Sequence, residues 1–587
     1  MANLIRCILR GMSLLPFGKL PAFRERSFVP VDLNLGDWEA IAPWFDRLEN
    51  EPSEGQSPAD LEAWIQKWSE LTAAVDEEDS RRYIAMTCHT EDAAAEKAHL
   101  DFLENVEPQV KTKQFQLAKR FLAHPCRAEL PKERYEVLDR DTELTVALFR
   151  EGNVALETEI SRFSQQYQKL SGSLTVKFRG EEKTLVAMAR YLEEPDRATR
   201  EEAWRVTSKR RVEEKGKFEE QFEKMLELRQ QTAANAGFDN YRDYMHKRMG
   251  RFDYTPDDCF KFHEAVEQVI VPAVKVMQAR RCEQLKVDSL RPWDTGVDPL
   301  GRAPLRPFEK VEQLISRSQQ VFDRLDPGLA AGFTTMREQG LLDLGNRKGK
   351  APGGYQSTLS EARLPFIFMN AVGLQRDVET MLHEAGHAFH ALATQEDELY
   401  WYRHAPMEFC EVASMAMELL GNEYLEEFYS PTEADRARRV HLEGILTILA
   451  WIATIDAFQH WIYTHKGHSR DERTAAWLEI RQRFGGDIDW SGLEEAEANL
   501  WHRQLHIFGC PFYYIEYGIA QLGALQVWAN SRKDGAKALA DYQAGLALGG
   551  SRPLPELFER AGCRFQFDAE IVRPLVDLVQ DELSKLN

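Results

Sequence analysis

Paired cysteines are missing from this chain. Its eight cysteines (Cys7, Cys88, Cys126, Cys259, Cys282, Cys410, Cys510 and Cys563) are scattered over 587 residues with no CxxC pair. That excludes a disulfide framework and points to reduced thiols in the cytoplasm. Glycine (35) and proline (25) are sparse, which excludes a collagenous or low-complexity chain. Positive charge is in deficit: 74 Lys and Arg against 95 Asp and Glu leave a formal charge of −21. Nucleic-acid backbones and anionic membranes both demand clustered cations, so neither is expected as a main partner. A cleavable leader is not expected either. The N-terminal MANLIRCILRGMSLLPFGKL is only mildly apolar, Arg6 and Arg10 interrupt it, it has no A-x-A site, and Met12 is an alternative start. The longest apolar stretch, Gly444 to Ile455, is too short to span a bilayer and runs into Asp456, Gln459 and His460. It is expected to be a buried helix facing something polar.

What is present is a large apolar fraction, 43%, enough to bury a sizeable core. The length suggests several domain-sized units or one continuous assembly. From Ser57 to about Leu170 the pattern is helical. Ser57 and Pro58 before Leu61, Trp64 and Trp68 supply a capping serine, a first-turn proline and apolar residues at helical spacing. Leu174 to Leu185 alternates around Arg179-Gly180 and predicts a small hairpin. Helical texture resumes at Asp196. A soft boundary near residue 195 divides a helical N-terminal region, 1–195, from a second region, 196–587. Loops are expected around 291–307 and 345–354. The glycines of the second loop (Gly349, Gly353, Gly354) lack phosphate-loop spacing and precede a strand, so they are not a phosphate cradle.

That strand, Arg363 to Asn370, carries a proline near its start and is expected at a sheet edge, where an extended peptide pairs with it. A helix from about Leu374 to Ala393 follows, with Val378, Met381, Leu382, Ala385, Phe389 and Leu392 on its apolar side. It contains His383-Glu384-Ala385-Gly386-His387, an H-E-x-x-H pattern. Residues i and i+4 lie one turn apart on one face, so two imidazoles converge on one ion. The glutamate between them is placed to act on water as a general base. A catalytic zinc needs a third protein ligand. Glu396, Asp397 and Glu398 follow the helix too closely. MEFCEVASMAMELL reads as the next helix and offers Glu408, Glu411 and Glu418 on one face. Geometry alone allows any of the three; the others then orient the histidines or face solvent. His390 would close the open coordination position and is assigned packing or hydrogen bonding instead. Glu379, one turn before His383, is either a supporting acceptor or solvated.

TMLHEAGHAFHAL followed by MEFCEVASMAMEL resembles the thimet oligopeptidase and oligoendopeptidase F family of zinc peptidases. Gly349 to Tyr355 and Leu364 to Asn370 are similar to that family's segments before the zinc helix, and the likeness covers roughly residues 200–580. The family's F-x-E-x-x-S context falls on Phe409 to Ser414, so the resemblance selects Glu411 as third ligand beside His383 and His387. His506 and the tyrosines of CPFYYIEYG are similar to a family segment that faces substrate and stabilises the tetrahedral intermediate. Tyr514 and Tyr517 are favoured over Tyr513, and His502 carries no argument of its own. The resemblance implies a mainly α fold with a small β element beside the H-E-x-x-H helix and a substrate channel between helical regions. It implies that 196–587 is the catalytic domain. It also implies one Zn²⁺ per chain, Glu384 as base, oligopeptide substrates and internal cleavage. The alternatives are a zinc exopeptidase, which needs a cation for the terminal carboxylate, and a non-catalytic helical protein with a structural zinc. An intact Glu384 has no use in the latter.

Overall fold

The computed structural model describes residues 15–51 and 56–586. The N-terminal stretch with Arg6, Cys7, Arg10 and Met12 lies outside the described residues. Among the described residues the protein is mainly α-helical with two small sheets. The elements used below are, in chain order, α1 (Pro58–Cys88), β1 (Thr175–Phe178), β2 (Glu181–Thr184), α2 (Lys215–Asn235), α3 (Tyr241–Arg248), α4 (Pro256–Ala265), β3 (Leu342–Gly345), β4 (Tyr355–Leu359), β5 (Leu364–Ala371), α5 (Gln375–Ala393), α6 (Met407–Gly421), α7 (Pro431–Thr464) and α8 (Tyr514–Ser531). Helix α1 starts where its sequence says: Ser57 and Asp60 form a reciprocal capping box, and Pro58 needs no N–H in the first turn. The β1–β2 hairpin turns at Arg179 (φ 51°) and Gly180 (φ 86°), both in the left-handed region that a tight hairpin turn requires.

Contacts divide the chain into two units, and neither is continuous in sequence. One contains Met1–Ala147, Arg306–Ala434 and Gly523–Phe565; the other contains Leu148–Leu305, Asp435–Leu522 and Gln566–Asn587. The first has a core of Trp64, Trp68, Phe45 and Phe121. It also holds the sheet β3-β5-β4, with β3 parallel and β4 antiparallel to β5. Strand β5 is therefore central, not the edge strand its proline suggested. The physical reason is register. Pro365 pairs with Thr358 of β4, but β3 begins opposite Ile367, so the missing N–H falls beyond the reach of β3. The run Pro365 to Met369 is buried, as expected of a strand covered on both faces. The open edge nearest α5 belongs to β4. Lys350, fully enclosed, binds this sheet together: its ammonium donates to Asp343 Oδ1 at 3.0 Å and to the carbonyls of Asp343, Gly345 and Met369.

The second unit is helical apart from the hairpin. The apolar stretch in it extends beyond 444–455: α7 is long and apolar enough to cross a membrane, yet 61% of its apolar window is buried inside the protein. It is a core helix, and it does face polar groups. Asp456 meets His263, and Gln459 accepts the N–H of Phe512. All seven cysteines among the described residues are free thiols.

Candidate active site

Helix α5 begins where the Asp377 carboxylate accepts three consecutive backbone N–H groups, from Val372, Gly373 and Leu374. Val378, Met381, Leu382, Ala385 and Phe389 bury its apolar side. This orientation leaves His383 and His387 on the opposite side, one turn apart, with ring centroids 4.9 Å from each other and planes nearly perpendicular. Both rings turn Nε2 toward Glu411 of α6. Glu411 Oε2 lies 3.4 Å from His383 Nε2 and 3.7 Å from His387 Nε2. One donor atom from each of the three residues falls within 4.8 Å of the other two.

The remaining edges are anchored. Glu418 Oε1 accepts from His383 Nδ1 at 2.6 Å. His387 hydrogen-bonds the backbone of Cys410, and the Ser414 hydroxyl donates to Glu411 Oε2 at 2.9 Å. A carboxylate accepts only, so His383 keeps a proton on Nδ1, and Nε2 is the nitrogen that turns inward. Helices α5 and α6 approach closely at Gly386, where a Cβ would lie 2.5 Å from the Ala413 carbonyl oxygen and 2.6 Å from Ser414 Cα. Glu408 is buried on α6 and is not in the group; Glu379 accepts from Gln375, and His390 is buried against Phe409.

Glu384 is buried beside this group, and its carboxylate accepts the backbone N–H of Gln356 on β4. Burial pushes its carboxyl up to about 7, against the pull of His383. Burial opposes charge on His383 most strongly, but the Glu418 hydrogen bond and the charges of Glu418, Glu411 and Glu384 together outweigh it and hold that imidazole up at about 9. His387, buried and beside His383, sits well below the ordinary histidine range.

His506, Tyr513, Tyr514 and Tyr517 form a separate aromatic cluster in the second unit. The His506 ring lies 4.6 Å from Tyr514, 5.9 Å from Tyr517 and 6.0 Å from Tyr513. Helix α8 starts at Tyr514, which leaves Tyr513 just ahead of it. Trp451 donates to Gln504 Oε1 at 3.0 Å, which orients the amide so that its Nε2 donates to His506 Nδ1 at 2.7 Å. The His506 proton then resides on Nε2. Burial lowers His506 to about 4 and raises Tyr514 to about 12, so both are neutral donors near pH 7. His502, by contrast, is buried against Glu219 at 3.1 Å. Sequence reasoning did not single out Gln356 or Gln504. Gln504 has a signal in hindsight, an amide two residues before a histidine; a backbone donor such as Gln356 has none.

The Peptidase family M3 profile matches residues 190–576, and the Peptidase M3 N-terminal domain profile matches residues 28–149. The chain belongs to peptidase family M3. Oligopeptidase PepF of Bacillus subtilis is 26% identical over 251 residues, a stretch that spans 40% of this M3 chain and 36% of the Bacillus protein. Solved structures align over far more of the length. A crystal structure provisionally named oligoendopeptidase F is 28% identical with a TM-score of 0.87, covering 96% of this chain and 99% of that one. PZ peptidase A, solved with an inhibitor, is 27% identical with a TM-score of 0.86 and the same coverage.

Proposed function

We propose that this M3-family chain is a zinc-dependent endopeptidase of the cytoplasm that hydrolyses internal bonds of oligopeptides. One observation carries the reading: two Nε2 atoms and one carboxylate oxygen converge beside a buried glutamate. Two imidazoles and one carboxylate are the donor set of a catalytic zinc site that keeps a fourth position open. The anchored ring edges leave lone pairs for the ion, so His383, His387 and Glu411 fit it. When bound, zinc supplies Lewis-acid polarisation of the scissile carbonyl and makes water acidic enough to lose a proton near neutrality.

The other steps fall to the chain. Glu384 takes the proton from the attacking water and delivers it to the leaving amine; a carboxyl near 7 is suited to both directions. The Gln356 N–H keeps that carboxylate aimed. His506 Nε2–H and the phenol of Tyr514 or Tyr517 are neutral donors of the kind that stabilise a developing oxyanion, and the family resemblance gives them that role. Strand β4 lies at the edge of its sheet, the kind of element to which an extended peptide adds by main-chain pairing without strict side-chain selection.

The test is a pool of peptides acetylated at the N-terminus and amidated at the C-terminus, incubated with the zinc-loaded protein and read by mass spectrometry. Internal cuts are expected. Trimming of unblocked peptides alone would move the assignment to an exopeptidase, and no cleavage by a metal-replete, folded protein would remove the enzymatic reading. Glu384→Gln should retain zinc and lose about 10²- to 10⁴-fold in kcat.

A further inference from the structure

The second unit contains a cluster of ligand-type side chains that peptide hydrolysis does not use. His246 on α3, Cys259 on α4 and His460 on α7 are all buried, and one donor atom from each lies within 4.8 Å of the other two. Among the described residues this is the one such group besides His383, His387 and Glu411. The setting is dry. Phe260 lies 4.8 Å from the His460 ring and Phe512 lies 5.4 Å from it.

Several polar atoms here have no hydrogen-bond partner: His246 Nδ1, His460 Nδ1 and Oδ1 of Asp456. His460 is only 3% exposed and Asp456 is fully buried. Each buried polar atom left unsatisfied costs about 1–3 kcal/mol, so a set of three calls for something that engages it. Charge points the same way. Asp456 accepts from His263 Nε2 at 2.8 Å and lies 3.2 Å from His460 Nε2, and its carboxyl is held far below the usual range despite its burial. Burial keeps His460 below its ordinary value, toward the neutral ring. The nearby guanidinium of Arg251 is already paired with Glu516 at 2.9 Å.

We propose that His246, Cys259 and His460 form a second metal site in this chain, a three-donor site suited to a zinc-like divalent ion. Thiolate and imidazole are the donors such an ion prefers. Asp456 stands behind the Nε2 edge of His460, the position from which a carboxylate orients a ligating histidine and leaves Nδ1 for the ion. A divalent ion, the Cys259 thiolate and the Asp456 carboxylate sum to zero charge, while Arg251 and Glu516 balance each other. Uptake releases the Cys259 thiol proton. At His246, Arg251 Nη1 now lies 3.2 Å from Nε2. On uptake the ring proton moves to Nε2, and Arg251 gives up this contact while keeping Phe512 O and Glu516. The site would cross-link α3, α4 and α7 beneath Phe512, in the turn that leads into Tyr514.

Cobalt distinguishes the two sites, because only this one offers a thiolate ligand. The full chain carrying His383→Ala and His387→Ala is titrated with Co²⁺. One equivalent per chain is expected, with a near-ultraviolet thiolate-to-cobalt band. Adding Cys259→Ser should remove the band, whereas adding Cys410→Ser, a thiol next to Glu411, should not. A folded double variant that binds no cobalt, or whose band disappears with Cys410→Ser, overturns the proposal. The double variant decides by itself if Cys259→Ser fails to fold. In the unaltered protein, zinc stoichiometry should be two per chain; a stoichiometry of one after full loading also overturns it.

Discussion

Gly386→Ala is the sharpest test of how the metal group is held. Two effects oppose each other. In an isolated helix the change favours helix formation by about 1 kcal/mol. Here the new Cβ would lie 2.5 Å from the Ala413 oxygen and 2.6 Å from Ser414 Cα, both backbone atoms of α6, whereas ordinary contact begins at 3.4 Å. Helix α6 must retreat by about 0.9 Å or α5 must bend. Tyr542 resists the retreat, since its buried hydroxyl donates to the same Ala413 oxygen at 2.7 Å. Overpacking of this kind costs about 1–3 kcal/mol, which outweighs the propensity gain. The shift also moves Glu411, two residues from Ala413, away from His383 and His387. A misplacement near 1 Å is worth about 10²-fold in rate. The assays are urea unfolding, zinc affinity by competition with a chromophoric chelator, and kcat/KM on a quenched peptide. Expected are a loss of up to about 2 kcal/mol in stability and at least tenfold in both zinc affinity and kcat/KM. A variant that is more stable and binds zinc as tightly as the parent would refute the reasoning.

Other predictions concern single partners. Glu418→Ala leaves His383 without its acceptor and should weaken zinc binding about 10- to 100-fold; an unchanged affinity in the competition assay would show that Glu418 does not orient the ring. Tyr514→Phe should lower kcat more than it raises KM, by roughly 10²-fold if Tyr514 donates to the oxyanion; an unaffected kcat assigns that role to Tyr517. Asp343 sets an acid limit. Burial pushes its carboxyl upward, but the Arg347 fork (2.6 and 2.8 Å) and Lys350 outweigh burial and hold it down at about 2, from an ordinary 3.8. Its contribution, roughly 2 kcal/mol, is fully present above pH 3.8 and is lost as pH falls through 2. Asp343→Asn should therefore flatten acid unfolding in that window. It should also destabilise the protein at pH 7 by about 3 kcal/mol, because Lys350 stays buried without its counter-charge; a parental acid profile would exclude Asp343 as the source.

The helices around the metal group were readable because their information is local. Spacing of four residues places His383 and His387, and an apolar stripe fixes which way α5 faces. The acids of α6 were less readable. Glu408, Glu411 and Glu418 share a face, and only the approach of a second helix distinguishes the residue that meets both histidines from the one that meets a single Nδ1. Strand β5 is not legible as a central strand because its neighbour β3 is set by register: Pro365 looks disruptive, yet β3 begins only opposite Ile367. Gly386 occupies a wildcard position of its motif, and nothing nearby in sequence reveals the carbonyl it makes room for. His246, Cys259 and His460 come from three separate helices, so no window of sequence contains the cluster.

The buried bond from Tyr542 to Ala413 also bears on the order of events during synthesis. The two residues are 129 positions apart. At roughly 5–20 residues per second, a ribosome needs on the order of ten seconds to make that interval. For that time α5 and α6 exist without the hydroxyl that helps fix their spacing, and a chain interrupted before residue 542 never acquires it. The last part of the first unit to be made therefore acts on the geometry of its oldest chemical group, so truncated products should bind zinc weakly even though they contain every ligand.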